Sequence, residues 1–576
     1  MNKIFRYGCM TAFAVMLASS CNTEKFLKEE PLDFYTPDNA LNTAADFQSA
    51  TNYLHNRMRH ILFGGINLDA NFSLRYATDF AVNATDYNPP VKLNDYKNTM
   101  VPTFNVVEVI WQNVYTVISN ANVIISRVPK AVALSEADRN SFKAQALFFR
   151  AWGYNMLANL YGGVPLITEE ITIPRTDYVR ATRDEVYNLC RKDLTEALLY
   201  LKDIDAVKDG AVNKQAAYHL LTEVLISLKA YDDAINAATQ AINHPALSLM
   251  TQRFGRRAGK PGDVYRDLFE LNNQNRTSGN KEGIFVIQTD YLNPASPARD
   301  VIQWAIMPNL TNLRVMTSVN GAPPSSQPAV LAFNDQLAGR GIGWIRPTKY
   351  FLYDIWTDPN DIRNSEYNIV RDFIMDGVPK NSDAYGKWYV KDGFKAKAAN
   401  FADTIRSWYP VLKKATFSEG DFPIEVIQKD ANGNPLKSPF AGQLLFNSSG
   451  DVYSKDAYLM RLAETYLLRA EAYIKKGDKS KAAEDINKIR ARANAAPVAE
   501  ADVTIDYLLD ERLRELYVEE LRMVTLCRMG LLYDRDKKYN EKSGLTIQPY
   551  HNLWPVPFSE IERNTGAVIT QNPEYK

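Results

Sequence analysis

The chain has 576 residues, 46% of them hydrophobic, and its 67 Lys plus Arg balance its 67 Asp plus Glu. A chain of zero formal net charge lacks the basic footprint of nucleic-acid binding, so that class of partner is excluded. Length and apolar content allow a large core, and 32 Tyr with 8 Trp supply rings for recognition surfaces as well as for that core.

The first feature in chain order is MNKIFRYGCMTAFAVMLASSC, with Lys3 and Arg6 ahead of a mostly apolar run from Tyr7 to Leu17. The run is well short of the ~20 residues a membrane-spanning helix needs. Ala18, Ser19 and Ser20 then precede Cys21. This layout predicts a lipoprotein signal over residues 1–20, with small side chains admitting the peptidase and the Cys21 thiol taking a diacylglycerol. An ordinary cleaved signal with an incidental cysteine is the alternative. The remaining 21–576 is read as one domain. With Cys9 in the signal and Cys21 acylated, Cys190 and Cys527 are left, both inside helical apolar patterns, which predicts buried free thiols.

Thr103 to Tyr161 has helical period, with Val106, Val107, Ile110, Trp111, Val114, Tyr115 and Ile118 on one face. A second helix starts after a Ser135 cap and stops at Gly162 and Gly163, which predicts an antiparallel hairpin. Thr182–Leu201 and Lys214–Ser227 form another pair, and Tyr231–Ile242 adds a helix. Toward the C-terminus Ala457–Lys475 pairs with Lys479–Arg492, followed by Ile505–Met529. Alanines at close-packing positions (Ala470, Ala472, Ala482, Ala483) make these units tetratricopeptide-like. The helical scaffold is thus expected over approximately 40–250 and 451–576. Arg461 with Glu464, and Glu511 with Arg514, are spaced to pair on helix surfaces.

From Gly255 to Gly450 the period is lost apart from fragments such as Val330–Leu337, and Pro, Gly, Asn and Trp become frequent. Ile284–Gln288 reads as a short strand and GRGIGWIRP (Gly339 to Pro347) as a turn-rich connection. Asn67–Pro102 is equally aperiodic. Long loops in a folded protein commonly carry function.

Several segments taken in order, FLKEEP, QALFFRAWGYNMLANLYGGVPLIT, KQAAYHLLTEVLISLKAYDDAINAATQAI, RLAETYLLRAEAYIKKGD, INKIRARAN, ERLRELYVEELR, WPVPFSEIERN and QNPEY, carry a family likeness. The chain resembles the SusD/RagB family of outer-membrane lipoproteins of Bacteroidetes. That resemblance implies a mainly α fold, with a tetratricopeptide-like scaffold carrying an irregular lobe with short strands. It also implies non-catalytic capture of glycans at the cell surface, beside a SusC-like TonB-dependent outer-membrane transporter over which the lipoprotein sits as a lid.

Sugar recognition needs flat rings for the apolar faces of the sugar and a few carboxylates, amides or guanidinium groups for its hydroxyls. Asp69, Asn71, Asp79, Asn83, Asp86, Tyr87 and Tyr96 supply these in the first loop, where the resemblance places ligand contacts. Tyr291, Trp304, Trp344 and Arg346 supply them in the middle lobe. The competing reading is that the rings pack in the core and the acids cap helices. The sequence holds no G-x-S-x-G, H-E-x-x-H or P-loop, and His55 and His60 are five apart rather than four. No catalytic set, metal site or cofactor is therefore expected. Peptide capture, as in the RagB branch, and a tethered glycan hydrolase are the alternatives.

Overall fold

The computed structural model describes residues 41–85, 92–290, 293, 300–322, 331, 334–337, 339–397, 405–418, 420–438, 443–447 and 455–576. The signal and Cys21 lie outside these residues.

Helix α1 (Ala44–Phe63) opens with a capping box, the Asp46 N–H donating to Thr43 Oγ1 and the Thr43 N–H to the Asp46 carboxylate. A short α2 (Leu68–Ser73) and strand β1 (Ala81–Asn83) follow. The expected hairpin is α3 (Asn105–Arg127) with α4 (Glu136–Tyr161), the second capped at Ser135, whose hydroxyl accepts the Asp138 N–H. Next come α5 (Arg183–Tyr200), α6 (Lys214–Ser227) and α7 (Tyr231–Ile242), as the periodicity predicts. Each helix from α3 to α7 packs on its successor. Small residues make the approaches close: Ala216, Ala217, Ala234 and Ala238 are fully buried, and a Cβ at Gly153 would lie 2.9 Å from Ile118.

The chain then leaves the helical regime. Strand β2 (Gly283–Ile287), helix α8 (Val301–Ile306) and strands β3 (Ile345–Pro347), β4 (Ile369–Val370) and β5 (Val411–Leu412) lead to β6 (Ala457–Arg461). They form three antiparallel two-stranded ladders, β1 with β3, β2 with β6, and β4 with β5. The lobe has its own core of rings, including Trp304, Phe373, Tyr389, Trp408, Phe417 and Phe422. The helical fragment expected at Val330–Leu337 is not a helix in its described part. Asn334 bridges Leu445 and a turn follows, because the Asp335 carboxylate accepts the backbone N–H of Leu444 and Gly420 at 2.6 and 2.8 Å.

Helices α9 (Leu462–Lys476), α10 (Lys479–Arg492), α11 (Ile505–Leu516), α12 (Arg522–Met529), α13 (Leu532–Tyr539) and α14 (Phe558–Arg563) follow toward the C-terminus. Helix α7 packs on α9, α9 on α10 and α11, and α12 returns to α4, so the helical stack continues as if the lobe were an insertion. The fold is mainly α, a stack of tetratricopeptide-like pairs carrying an irregular lobe. Two helical expectations change. Ala457–Arg461 is a strand because β2 offers it a partner, and the helix begins only at Leu462. Ile505–Met529 is two helices, since the chain turns out at Tyr517 and Val518 takes φ +72°, with Arg75 Nε donating to the Val518 carbonyl at 3.2 Å. A β-branched residue holds that conformation only under tertiary constraint.

A buried ionic network joins lobe and scaffold. Arg363 of the lobe, with no exposed side-chain surface, pairs with Asp361 and Glu511 at 2.7 Å and with Glu515 at 3.2 Å. Arg461 pairs with Glu282, Glu515 and Glu519, each at 2.8 Å. Its expected partner Glu464 instead takes Arg512, because Arg461 sits on the strand rather than on the helix. Glu511 and Arg514 do pair at 2.9 Å, but inside the protein. Such pairs add little net stability, yet removing one partner is costly, so they act mainly to hold one arrangement. Cys190 and Cys527 are free and buried, and burial pushes both thiols above their usual range. No described helix is long and apolar enough to cross a membrane.

Candidate functional site

The two loop regions designated by the sequence meet at the β1–β3 ladder. Val82 stands opposite Arg346 and Asn83 opposite Ile345, and the Ala84 N–H donates to the Trp344 carbonyl at 2.9 Å. The turn-rich Gly339–Pro347 segment lies against the end of α8. Ile342 N–H donates to Trp304 O (3.1 Å), Gly343 N–H to Met307 O (2.7 Å) and Trp344 N–H to Ala305 O (2.8 Å). Only glycine permits this approach, since a Cβ at Gly341 would lie 2.3 Å from Met307 O, and one at Gly343 equally close to Arg406 O. The result is a ring cluster: Trp304 and Trp344 have centroids 5.2 Å apart at 62°, and Phe72 of α2 meets Trp344 edge-on at 6.0 Å.

Within that frame the designated residues divide. Trp344 and Arg346 are half-buried, and Asp69 on α2 is part-exposed and bonded to Lys92 at 3.2 Å. Asp86, Tyr87 and Tyr291 lie outside the described residues. Five others are structural. The Asn71 amide is buried and donates to the carbonyls of His60 and Ile61 at 3.0 and 2.7 Å, closing α2 on the end of α1. Asp79 is buried between Arg522 and Arg535 at 2.6 and 2.8 Å. Burial raises its pKa, but the two guanidinium groups outweigh this and hold it down to about 2. The Asn83 side-chain oxygen accepts from Thr85 N and Oγ1 at 2.9 and 2.6 Å, turning the chain out of β1. Tyr96 is buried with its hydroxyl on the Ala77 carbonyl at 2.6 Å, and Trp304 belongs to the lobe core. Ligand contact was expected of these five because a polar or aromatic residue in an aperiodic stretch reads as exposed. Here Asp79 is taken up by arginines of the C-terminal helices, Asn71, Asn83 and Tyr96 by partners within the N-terminal region, and Trp304 by the lobe core.

Two hollows were missed by the sequence reasoning. A groove of about 900 Å³ is lined by Gln48, Asn52 and Asn56 of α1, Ser141 and Gln145 of α4, and Gln288. A cleft of about 470 Å³ runs between α3, the 165–178 connector and α14. Their polar residues recur at helical spacing (48, 52, 56 and 112, 116, 120), the one signal by which sequence could have found them. No group of three or more His, Cys, Asp or Glu among the described residues is placed to hold a metal.

A stack of helical pairs with an inserted, ring-bearing lobe defines a helical-repeat protein of known architecture. The model described as "SusD family" matches residues 444–575, and one described as "Starch-binding associating with outer membrane" matches 32–226. SusD-like protein P25 of Formosa agariphila is 24% identical over 96% of both chains. The starch-binding protein SusD of Bacteroides thetaiotaomicron is 39% identical over 125 residues, 21% of this chain and 22% of that one. Among solved structures, surface glycan-binding protein A of Bacteroides thetaiotaomicron in complex with laminarihexaose shares the fold with a TM-score of 0.62 at 17% identity, over 91% of this chain and 98% of that one. The chain belongs to the SusD/RagB family.

Proposed function

We propose that this protein is a cell-surface lipoprotein of the outer membrane, anchored through Cys21, that captures oligo- or polysaccharides and passes them to a SusC-like TonB-dependent transporter. The observation that carries the reading is the meeting of the two loop regions at β1 and β3. It places a half-buried Trp344 edge-on to Trp304, two residues before Arg346 and against Phe72 of α2, the helix that also carries Asp69. Rings cover the apolar face of a sugar, while a guanidinium and a carboxylate satisfy its hydroxyls, which is the chemistry of holding and not of bond cleavage. Asp86, Tyr87 and Tyr291 are proposed to complete the site. Support also comes from fold relatives whose names include a laminarin-binding protein and a laminarihexaose complex.

Native affinity electrophoresis of the protein against laminarin, starch and a panel of plant, host and microbial glycans tests the reading. Retardation by at least one glycan is expected, reduced about fivefold in affinity by Trp344→Ala, in line with ~1 kcal/mol for an aromatic contact. Absence of retardation by every glycan would sink it, and release of sugar during incubation would replace a binder by a hydrolase.

A further inference from the structure

We propose that the cleft between α3, the 165–178 connector and α14 is a second ligand site, separate from the β1–β3 region, built for a short neutral saccharide. It shares none of the elements that carry Asp69, Trp344 and Arg346. Its volume of about 470 Å³ falls within the ~300–1,000 Å³ range of small-ligand sites.

The walls are fixed by hydrogen bonds, and the Arg175 guanidinium lies over the Tyr178 ring at 5.4 Å. The Tyr115 hydroxyl donates to the Pro165 carbonyl at 2.7 Å, pinning the connector to α3. Asn564, just past α14, accepts the Tyr178 N–H and donates to the Tyr178 carbonyl, both at 2.8 Å. Half-buried Tyr115 and Tyr178 therefore line a preformed hollow, over a floor where Trp111 meets Tyr115 at a centroid distance of 5.1 Å. Ring-lined hollows of this kind take the C–H face of a pyranose.

The polar side of the cleft is a stripe on α3. Gln112, Thr116 and Asn120 recur every four residues, with Ser119 beside them. Gln112 spends an amide hydrogen on Glu108 and Asn120 spends one on the Thr116 carbonyl. Among the described residues their amide oxygens and the Ser119 hydroxyl have no partner, which leaves acceptors and a donor spaced for vicinal hydroxyls. The charge at the mouth selects against anions. Arg175 is paired with Asp177 at 2.9 Å, and Arg563 with Glu560 at 3.3 Å and Glu108 at 3.5 Å. Two cations face three carboxylates, so an acidic sugar or a phosphate finds no uncompensated cation there.

Methyl NMR of the full chain tests the proposal, using Ile167 and Ile569 in the cleft and Ile302 and Ile345 in the β1–β3 region as separate reporters. The probes are maltohexaose, laminarihexaose and, as the acidic contrast, hexagalacturonate. The expected result is saturable movement of the Ile167 and Ile569 methyls with a neutral hexasaccharide. Ser119→Trp, an exposed change on α3 that fills the cleft, should weaken that movement at least tenfold and leave Ile302 and Ile345 as in the parent protein. Three results overturn it: no movement of Ile167 and Ile569 with either neutral sugar, movement with hexagalacturonate alone, or movement that persists in Ser119→Trp. Ile302 and Ile345 report on the first site independently, so failure of the glycan reading there is distinguishable from failure of the cleft.

Discussion

Replacing Asp79 by Asn keeps the shape of the side chain and removes its charge, leaving Arg522 and Arg535 to face a neutral amide. Asp79 receives Nε and Nη2 of Arg522 at 2.8 and 2.6 Å and Nε of Arg535 at 2.8 Å, with no exposed surface. Its pKa of about 2 against an ordinary 3.8 corresponds to about 2 kcal/mol of charge-dependent stability. Breaking a buried pair costs ~3–5 kcal/mol. Arg522 keeps Glu520 and Arg535 keeps Asp506 and Asp510, so the low end, about 3 kcal/mol, is expected. The loss falls on the segment that carries β1. Hydrogen exchange at Ala77, bonded to Ala81 O, and at Thr348, bonded to Phe80 O, should therefore quicken about 100-fold at pH 7. The folded pKa lies below the unfolded one, so this contribution is complete above pH 3.8 and fades as pH falls toward 2, and mutant and parent should converge there. Exchange within roughly threefold of the parent at pH 7 would show that the two arginines do not hold this segment.

Two further outcomes follow from the same physics. His551 is buried among Tyr96, Tyr550 and Tyr575, its Nδ1 accepts the Gln548 N–H at 2.8 Å, and burial pushes its pKa down to about 4. The unfolded chain binds the extra proton first, so stability should fall by up to about 3 kcal/mol between pH 6.5 and 4, and thermal melts of His551→Asn should lose that component. Gly341→Ala puts a methyl 2.3 Å from the Met307 carbonyl, forcing α8 from the Gly341–Trp344 segment. A cost of about 2–3 kcal/mol is expected in denaturant melts, with glycan retardation weakened alongside because Trp304 and Trp344 separate.

Much of this protein was legible from local pattern. The helices from α3 to α7 and from α9 to α10 were readable from apolar residues recurring at a period of 3.6, and α4, α5, α6, α9 and α10 also from a capping side chain or a terminal glycine. That information is contained within one segment. Ser135, Gly162 and the alanines of α6 and α7 act where they stand in the chain, and the burial of Cys190 and Cys527 followed from their place on such faces.

The site was less legible, because partners far apart in sequence decide it. Asp79 and Tyr96 carry polar groups in an aperiodic loop, and nothing within that loop announces that Arg522, Arg535 and the Ala77 carbonyl consume them. Conversely, Trp111 and Tyr115 read only as a helix face until the connector and α14 close over them. The amino-acid sequence by itself determined the helical repeats, the order of the segments and the family, since these rest on residues close in the chain. Tertiary structure alone decided that Ala457–Arg461 pairs as a strand, that Val518 breaks a helix, and which rings and charges remain accessible. Strand pairing, buried ion pairs and exposure depend on surfaces contributed by residues hundreds of positions away.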